Sequence, residues 1–70
     1  MKKKLSPKPD LAFSGSGSVY LLHAYSDAGR EWIAEHIPDD AMTLGSAIAV
    51  EWRFVDDIAN GAMADGLLVA

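Results

Sequence analysis

The stretch SVYLLHAYSDAGREWIAEHIP, residues 18–38, joins two different hydrophobic patterns. Its first part, SVYLLHAY, is rich in β-branched, aromatic and aliphatic residues, and it predicts a strand at about 18–25. Successive residues of a strand point to opposite sides, and both sides of this one are mostly apolar. The pattern therefore favours a central strand that is covered at least in part on each side.

The second part, SDAGREWIAEHIP, predicts a helix that ends before Pro38. Ser26 is suited to cap the N-terminus, and Asp27 in the first turn interacts favourably with the helix dipole. Residues at helical spacing predict the buried stripe, which consists of Gly29, Trp32, Ile33, His36 and Ile37.

The second half of the chain repeats this alternation of strand and helix. AIAVE predicts a strand at 47–51 after a Gly45-Ser46 turn, and whether 42–46 adds a further strand stays open. LLVA predicts a short terminal strand. A second helix at about 52–64 is predicted to bury a stripe of Trp52, Val55, Ile58, Ala59, Ala62 and Met63. The predicted fold class is thus α/β (an α+β two-layer arrangement), a three- to four-stranded sheet with two helices on one face, in the order β-α-β-α-β.

Two helices cover only one face of such a sheet, so the other face is predicted to be an exposed apolar patch. Exposed patches of this kind usually mark an interface with a partner or with a second copy. The alternation assigns to the patch Tyr20, Leu22, Ala24, Ala47 and Ala49.

Residues 1–17 are predicted to form a disordered leader, basic at its start and rich in Gly and Ser at its end. Two prolines in SPKPD and the glycines of SGSGS, residues 14–18, oppose regular structure. Four lysines against Asp10 give residues 1–10 a formal charge of +3. Residues 18–70 are then one compact domain, because a chain of 70 residues has room for only one.

The composition excludes several classes of protein. The chain has no cysteine, which removes disulfides, thiolate metal sites and thiol nucleophiles. It has no apolar run of the length of a signal peptide or a membrane span, so a cytoplasmic protein without membrane contact is expected. Residues 11–70 carry two arginines against nine acids, a formal charge of −7. Because an acidic body repels phosphates, no direct binding of nucleic acid is expected.

No catalytic or cofactor motif is found, so the protein is predicted not to be an enzyme and to need no metal or cofactor. Asp56 and Asp57 are adjacent on a predicted helix and diverge by about 100°, so they do not share one substrate. Arg53 and Asp57 have the i,i+4 spacing of a surface ion pair. The serines of SGSGS lack the flanking pattern of a nucleophile, and His23 is expected to be a half-buried strand residue.

Eight carboxylates are the candidate partner-binding residues. A solubilising surface is the simpler interpretation of so many acids. The functional interpretation is a docking face for the Lys and Arg clusters of a protein that normally holds nucleic acid, since complementary charge speeds encounter. These residues are Asp27, Glu31, Glu35, Asp39, Asp40, Asp56, Asp57 and Asp65.

From REWIAEH to VEWRFVDDIANGAMADGL the chain resembles a family of short, uncharacterised bacterial and phage proteins, over about residues 18–69. The resemblance implies the alternation of strands and helices but no activity. At the level of class, the chain also resembles anti-CRISPR proteins, which are very small, often acidic and poor in cysteine. This second resemblance implies an inhibitor that binds a type I Cas surveillance complex and prevents it from binding its target DNA. The alternative is a small bacterial accessory or regulatory protein that homodimerises through the exposed sheet face, and the protein is expected to be a monomer or a weak homodimer.

Overall fold

The computed structural model describes residues 8–70, which form a four-stranded sheet and two helices. The strands are β1 (Leu11–Ser16), β2 (Val19–Ala24), β3 (Thr43–Leu44) and β4 (Ala47–Glu51), and the helices are α1 (Asp27–His36) and α2 (Trp52–Ala64). All strand pairs are antiparallel, in the spatial order β1-β2-β4-β3. The predicted α+β class, with one sheet and two helices, is therefore confirmed.

The element order differs from the predicted β-α-β-α-β because the chain begins with a hairpin. Residues 11–16, assigned above to the disordered leader, form β1 and pair with β2 along its whole length. The reason is the Gly17-Ser18 turn. Gly17 has a φ of +80°, which glycine adopts without steric cost and which suits a two-residue hairpin. Residues 1–7 of the predicted leader lie outside the described residues.

The C-terminus also differs from the prediction. LLVA does not form a regular strand but makes a single parallel bridge, between Val69 and Leu11. Four backbone hydrogen bonds join this segment to β1 and the residue before it, including one from the Phe13 N–H to the Ala70 carbonyl. The segment thereby covers the outer edge of β1.

Both helices lie on the same face of the sheet. The register places Phe13, Leu22 and Ile48 side by side, and Leu11 and Val50 share their face. These strand residues join Trp32 of α1 and Ala62 of α2 in one hydrophobic core. Leu11 and Leu22 are almost completely buried.

Three residues of the predicted helix stripes are exposed. The side chains of Trp52 and Met63 are 62% and 50% exposed, so their assignment to the core is wrong. His36 is exposed as well, since it lies on the outside of the Trp32 ring rather than beneath it. Both Trp52 and Met63 lie at the ends of α2.

The residues predicted to lie on the uncovered face of the sheet are correct for β4 but wrong for β2. Ala47 and Ala49 lie on that face, but Tyr20, Leu22 and Ala24 lie under the helices. Tyr20 pairs with Val50, and directly opposed residues share a face of the sheet. Because Val50 belongs to the core, Tyr20 and the alternate residues of β2 also face the helices. Among residues 8–70 no helix is long and apolar enough to span a membrane.

Candidate functional site

The helix layer carries most of the predicted partner-binding carboxylates. Glu31 and Glu35 are exposed on α1, and Asp56 and Asp57 are exposed on α2. The core-facing stripes of the two helices leave these positions on the solvent side.

Both arginines are already paired with carboxylates. Arg30 donates to Asp27 one turn away on α1, and Arg53 lies 2.8 Å from Glu51. The predicted pair of Arg53 with Asp57 is not formed. In the described part of the chain, seven of the eight candidate acids therefore have no ion pair with Lys or Arg, the exception being Asp27. One of the seven, Asp65, lies near His36. The other six are Glu31, Glu35, Asp39, Asp40, Asp56 and Asp57.

Three of the carboxylates meet around a cleft of about 440 Å³ at the junction of α1 and the end of α2. This acidic cleft is lined by Glu31 and Glu35 on one side and by Asp65 on the other. The sequence places Glu31 and Glu35 one helical turn apart, so their side chains lie over one another. Only the packing of the helices adds Asp65, which is 30 residues from Glu35 in the chain.

The wall of the acidic cleft is held by two aromatic rings. The Trp32 indole Nε1–H donates to Asp65 Oδ2 at 2.7 Å, and His36 stacks on the Trp32 ring with centroids 4.2 Å apart. His36 Nδ1 lies 2.9 Å from the Trp32 carbonyl oxygen, to which it must donate, and Nε2 lies 3.6 Å from Asp65 Oδ2. The indole hydrogen bond holds Asp65 in place, while Glu31 and Glu35 stay exposed.

A second, apolar cleft of about 470 Å³ lies on the other side of His36. It runs between the end of α1, the following loop, β4 and the first turns of α2. Phe54 on its wall is 47% exposed, and Asp57 and Glu51 supply negative charge. Its remaining apolar lining includes Ile37, Pro38, Ala41, Met42, Ile48 and Ile58.

The structure does not gather all eight predicted acids. Asp39 and Asp40 lie in the turn after α1, and Asp56 lies on α2; none of the three lines either cleft. Asp27 is exposed but paired with Arg30. The carboxylates that share a cleft are thus Glu31, Glu35 and Asp65, with Asp57 in the neighbouring one.

His36 and Phe54 were missed as surface residues, since His36 was assigned to the buried stripe of α1 and Phe54 to neither face. Trp32 was correctly assigned to the buried stripe, but its place in the wall of the acidic cleft was missed. The i,i+4 spacing of Trp32 and His36 was available in the sequence and predicts that their rings meet.

Ser14 and His23 form a cross-strand contact with the atoms of a nucleophile and a base. Ser14 Oγ lies 2.8 Å from His23 Nε2 on the uncovered face of the sheet. A serine nucleophile also needs a third group that orients the histidine, and within residues 8–70 no hydrogen bond to His23 Nδ1 is formed. The described residues likewise contain no group of three or more side chains placed to bind a metal ion.

Comparison of the chain with family models, with curated proteins and with solved structures found no match. The resemblances drawn from the sequence pattern therefore stay predictions, and the function is argued from the chain's own geometry.

Proposed function

We propose that this protein is a non-enzymatic inhibitor of the anti-CRISPR type, which binds a basic, nucleic-acid-binding surface through its helix layer. The expected target is a type I surveillance complex whose binding of DNA is blocked. The observation that carries the proposal is the acidic cleft of Glu31, Glu35 and Asp65, adjoining the apolar cleft beside Phe54.

The acidic cleft is complementary in charge to a phosphate-binding site. Arg and Lys side chains that hold a DNA backbone bind carboxylates with charge-assisted hydrogen bonds of similar geometry. Glu31 and Glu35 are available for such bonds because they form no ion pair within residues 8–70. Asp65 is positioned in advance by Trp32, which reduces the entropy lost on binding.

The apolar cleft supplies affinity that charge alone does not. Surface ion pairs contribute little, about 0–1 kcal/mol each, because both groups are well solvated. A buried aromatic or aliphatic anchor contributes more, and such anchors dominate most interfaces. The half-exposed Phe54 and the apolar walls around it fit an anchor from the partner, flanked by basic residues facing Asp57 and Glu51.

The test is a gel shift of target DNA by a type I surveillance complex with increasing amounts of this protein. We expect the wild type to release the DNA. The double substitution Glu31→Gln/Glu35→Gln should weaken inhibition by about tenfold or more, which corresponds to about 1.4 kcal/mol.

The matched control is Asp39→Asn/Asp40→Asn, which removes the same charge outside both clefts. It should change inhibition by less than about threefold. DNA binding that is unaffected by the wild type would exclude inhibition at this step. An equal effect of the two double variants would mean that net charge, and not the acidic cleft, causes the inhibition.

A further inference from the structure

The uncovered face of the sheet is a further apolar surface, which shares Met42, Ala49 and Glu51 with the apolar cleft. We call it the open face. It includes a shallow depression of about 250 Å³ between Val19, Met42, Ala49 and Glu51. Four of its large side chains are 48–71% exposed, namely Val19, Tyr25, Met42 and Leu44. By strand register the open face consists of Ala12, Ser14, Val19, Leu21, His23, Tyr25, Met42, Leu44, Ala47, Ala49 and Glu51.

We propose that the open face packs against the open face of a second copy, so that the protein forms a reversible, two-fold symmetric dimer. Closed two-fold dimers are the commonest assembly of small soluble proteins, and they use the same patch on both copies. Such a dimer goes beyond the inhibitor function and does not depend on it.

Charge favours a second copy at the open face and opposes one at the helix layer. Within the described residues the open face has one carboxylate, Glu51, and that group is already paired with Arg53. The helix layer carries the carboxylates without Lys or Arg partners, so two copies that met there would repel each other. The open face is the large surface where two copies of an acidic chain meet with little repulsion.

The two ends of the open face are also complementary to each other. Glu51 lies opposite Val19 at the start of β2, whereas Lys8 and Tyr25 line a depression at the end of β2. If the β2 strands of the two copies run antiparallel across the two-fold axis, Lys8 of each copy faces Glu51 of the other. The pair of Glu51 with Arg53 is more than half exposed, so its carboxylate remains accessible to a second cation.

Neither edge of the sheet is suited to pair with a strand of a second copy, so the open face is the part of the sheet at which two copies can associate. The C-terminal segment bonds to the outer edge of β1, and β3 at the other edge has only two residues. Covered and very short edges are poor templates for strand pairing. The strands have six, six, five and two residues. At about 3.3 Å per residue and about 4.8 Å between strands, they give a flat face on the order of 300 Å² per copy. Side-chain relief adds to this area, which places the contact at the small end of specific interfaces.

The experiment measures molecular mass by sedimentation equilibrium of the full chain. A contact of this size is expected to be weak, so the mass is followed from about 1 μM to about 1 mM and should rise towards twice the monomer value over that range. The double variant Val19→Glu/Leu44→Glu should stay monomeric throughout, because it places four like charges in the interface.

The matched control is Phe54→Glu/Met63→Glu, which makes the same chemical change at two half-exposed residues of α2 and should still dimerise. Circular dichroism of each variant checks that it is folded. A wild type that stays monomeric at about 1 mM overturns the proposal. A dimer that only the α2 variant dissociates overturns it too, since the helix layer would then be the interface. A full chain that stays monomeric, together with a dimeric variant that lacks residues 1–7, would also overturn the proposal. It would mean that the N-terminal segment, and not a second copy, covers the open face of the full chain.

Discussion

Asp10 connects three parts of the molecule through a single side chain. Its Oδ1 accepts a hydrogen bond from the Ser26 hydroxyl at 2.6 Å, and its Oδ2 accepts one from the Leu68 N–H at 2.8 Å. Ser26 Oγ in turn accepts from the Gly29 N–H and caps α1. The start of β1, the N-terminus of α1 and the C-terminal segment are thus held together at one carboxylate.

Asp10 makes the stability of the protein depend on pH in the acid range. The hydrogen bond from the Leu68 N–H, followed by that from Ser26, lowers the pKa of Asp10 below its ordinary value. A lowered pKa in the folded state means that the unfolded chain binds the proton more readily. The contribution of Asp10 is therefore fully present above the ordinary aspartate pKa of about 3.9 and is lost as the pH falls through the folded-state value.

The substitution Asp10→Asn should lower the melting temperature at pH 7 and flatten its decline as the pH falls below about 3.9. Asparagine offers one acceptor where two donors converge, so one of the two hydrogen bonds is lost. Asp40→Asn, at an exposed turn, is the matched control and should follow the wild type. Thermal melts at several pH values measure both variants. Parallel melting curves for Asp10→Asn and the wild type would show that Asp10 contributes nothing to the acid dependence.

Two helical glycines should respond in opposite ways to alanine. A Cβ on Gly29 would lie 2.3 Å from the Asp10 carbonyl oxygen, whereas a Cβ on Gly61 would meet only the Trp32 ring at 3.6 Å. Gly29→Ala should therefore destabilise by about 1–3 kcal/mol, because backbone must move. Gly61→Ala should stabilise by about 0.5–1 kcal/mol through its helix propensity. Urea unfolding followed by tryptophan fluorescence gives both values, and a stabilising Gly29→Ala would contradict the close contact with Asp10.

At the scale of elements, the two hairpins use the same turn. Gly17-Ser18 joins β1 to β2, and Gly45-Ser46 joins β3 to β4, with a positive φ at the glycine in each. Two residues are the shortest hairpin loop and leave the register little freedom. The hairpins therefore fix which residues of β1 and β2, and which residues of β3 and β4, lie on the same side of the sheet.

The two faces of β2 can be distinguished by alanine substitution at neighbouring residues. Leu22 lies in the core and is 1% exposed, whereas Leu21 lies on the open face and is only partly buried. Leu22→Ala should cost about 2–5 kcal/mol of the free energy of unfolding, and Leu21→Ala about 1 kcal/mol or less in the monomer. Urea titration at low protein concentration measures the difference. A larger loss for Leu21→Ala would mean that the strand faces the other way.

At the scale of the whole molecule, the two layers carry different chemistry. The helix layer presents the acidic and apolar clefts, and the open face on the far side of the sheet presents apolar side chains with little charge. A dimer formed through the open face would leave the acidic cleft of each copy accessible, but it would cover Met42 and Ala49 at the edge of the apolar cleft. Within residues 8–70 only six hydrophobic side chains are buried, so burial of further apolar area in a dimer would also stabilise a small core.

The sequence alone determined the local structure where one residue pattern dominates. Signals within a few residues predict four features correctly: the α1 cap at Ser26, the strand at 47–51, the second helix at 52–64 and the Gly45-Ser46 turn. The pairing of acids on one helix, as in Glu31 and Glu35, belongs to the same class because helical spacing places them together.

Tertiary structure decided everything that depends on which residues meet across the chain. The SGSGS segment has little preference of its own, and it becomes a strand and a turn only because β2 offers a partner. Both faces of β2 are apolar, so its side toward the helices was settled by register with β4. The joining of Asp65 to Glu31 and Glu35 likewise required the packing of α1 on α2 at Trp32 and Gly61. A local pattern specifies an element because its energetics act within one or two turns, whereas the composition of a cleft or a face depends on contacts between residues far apart in the chain.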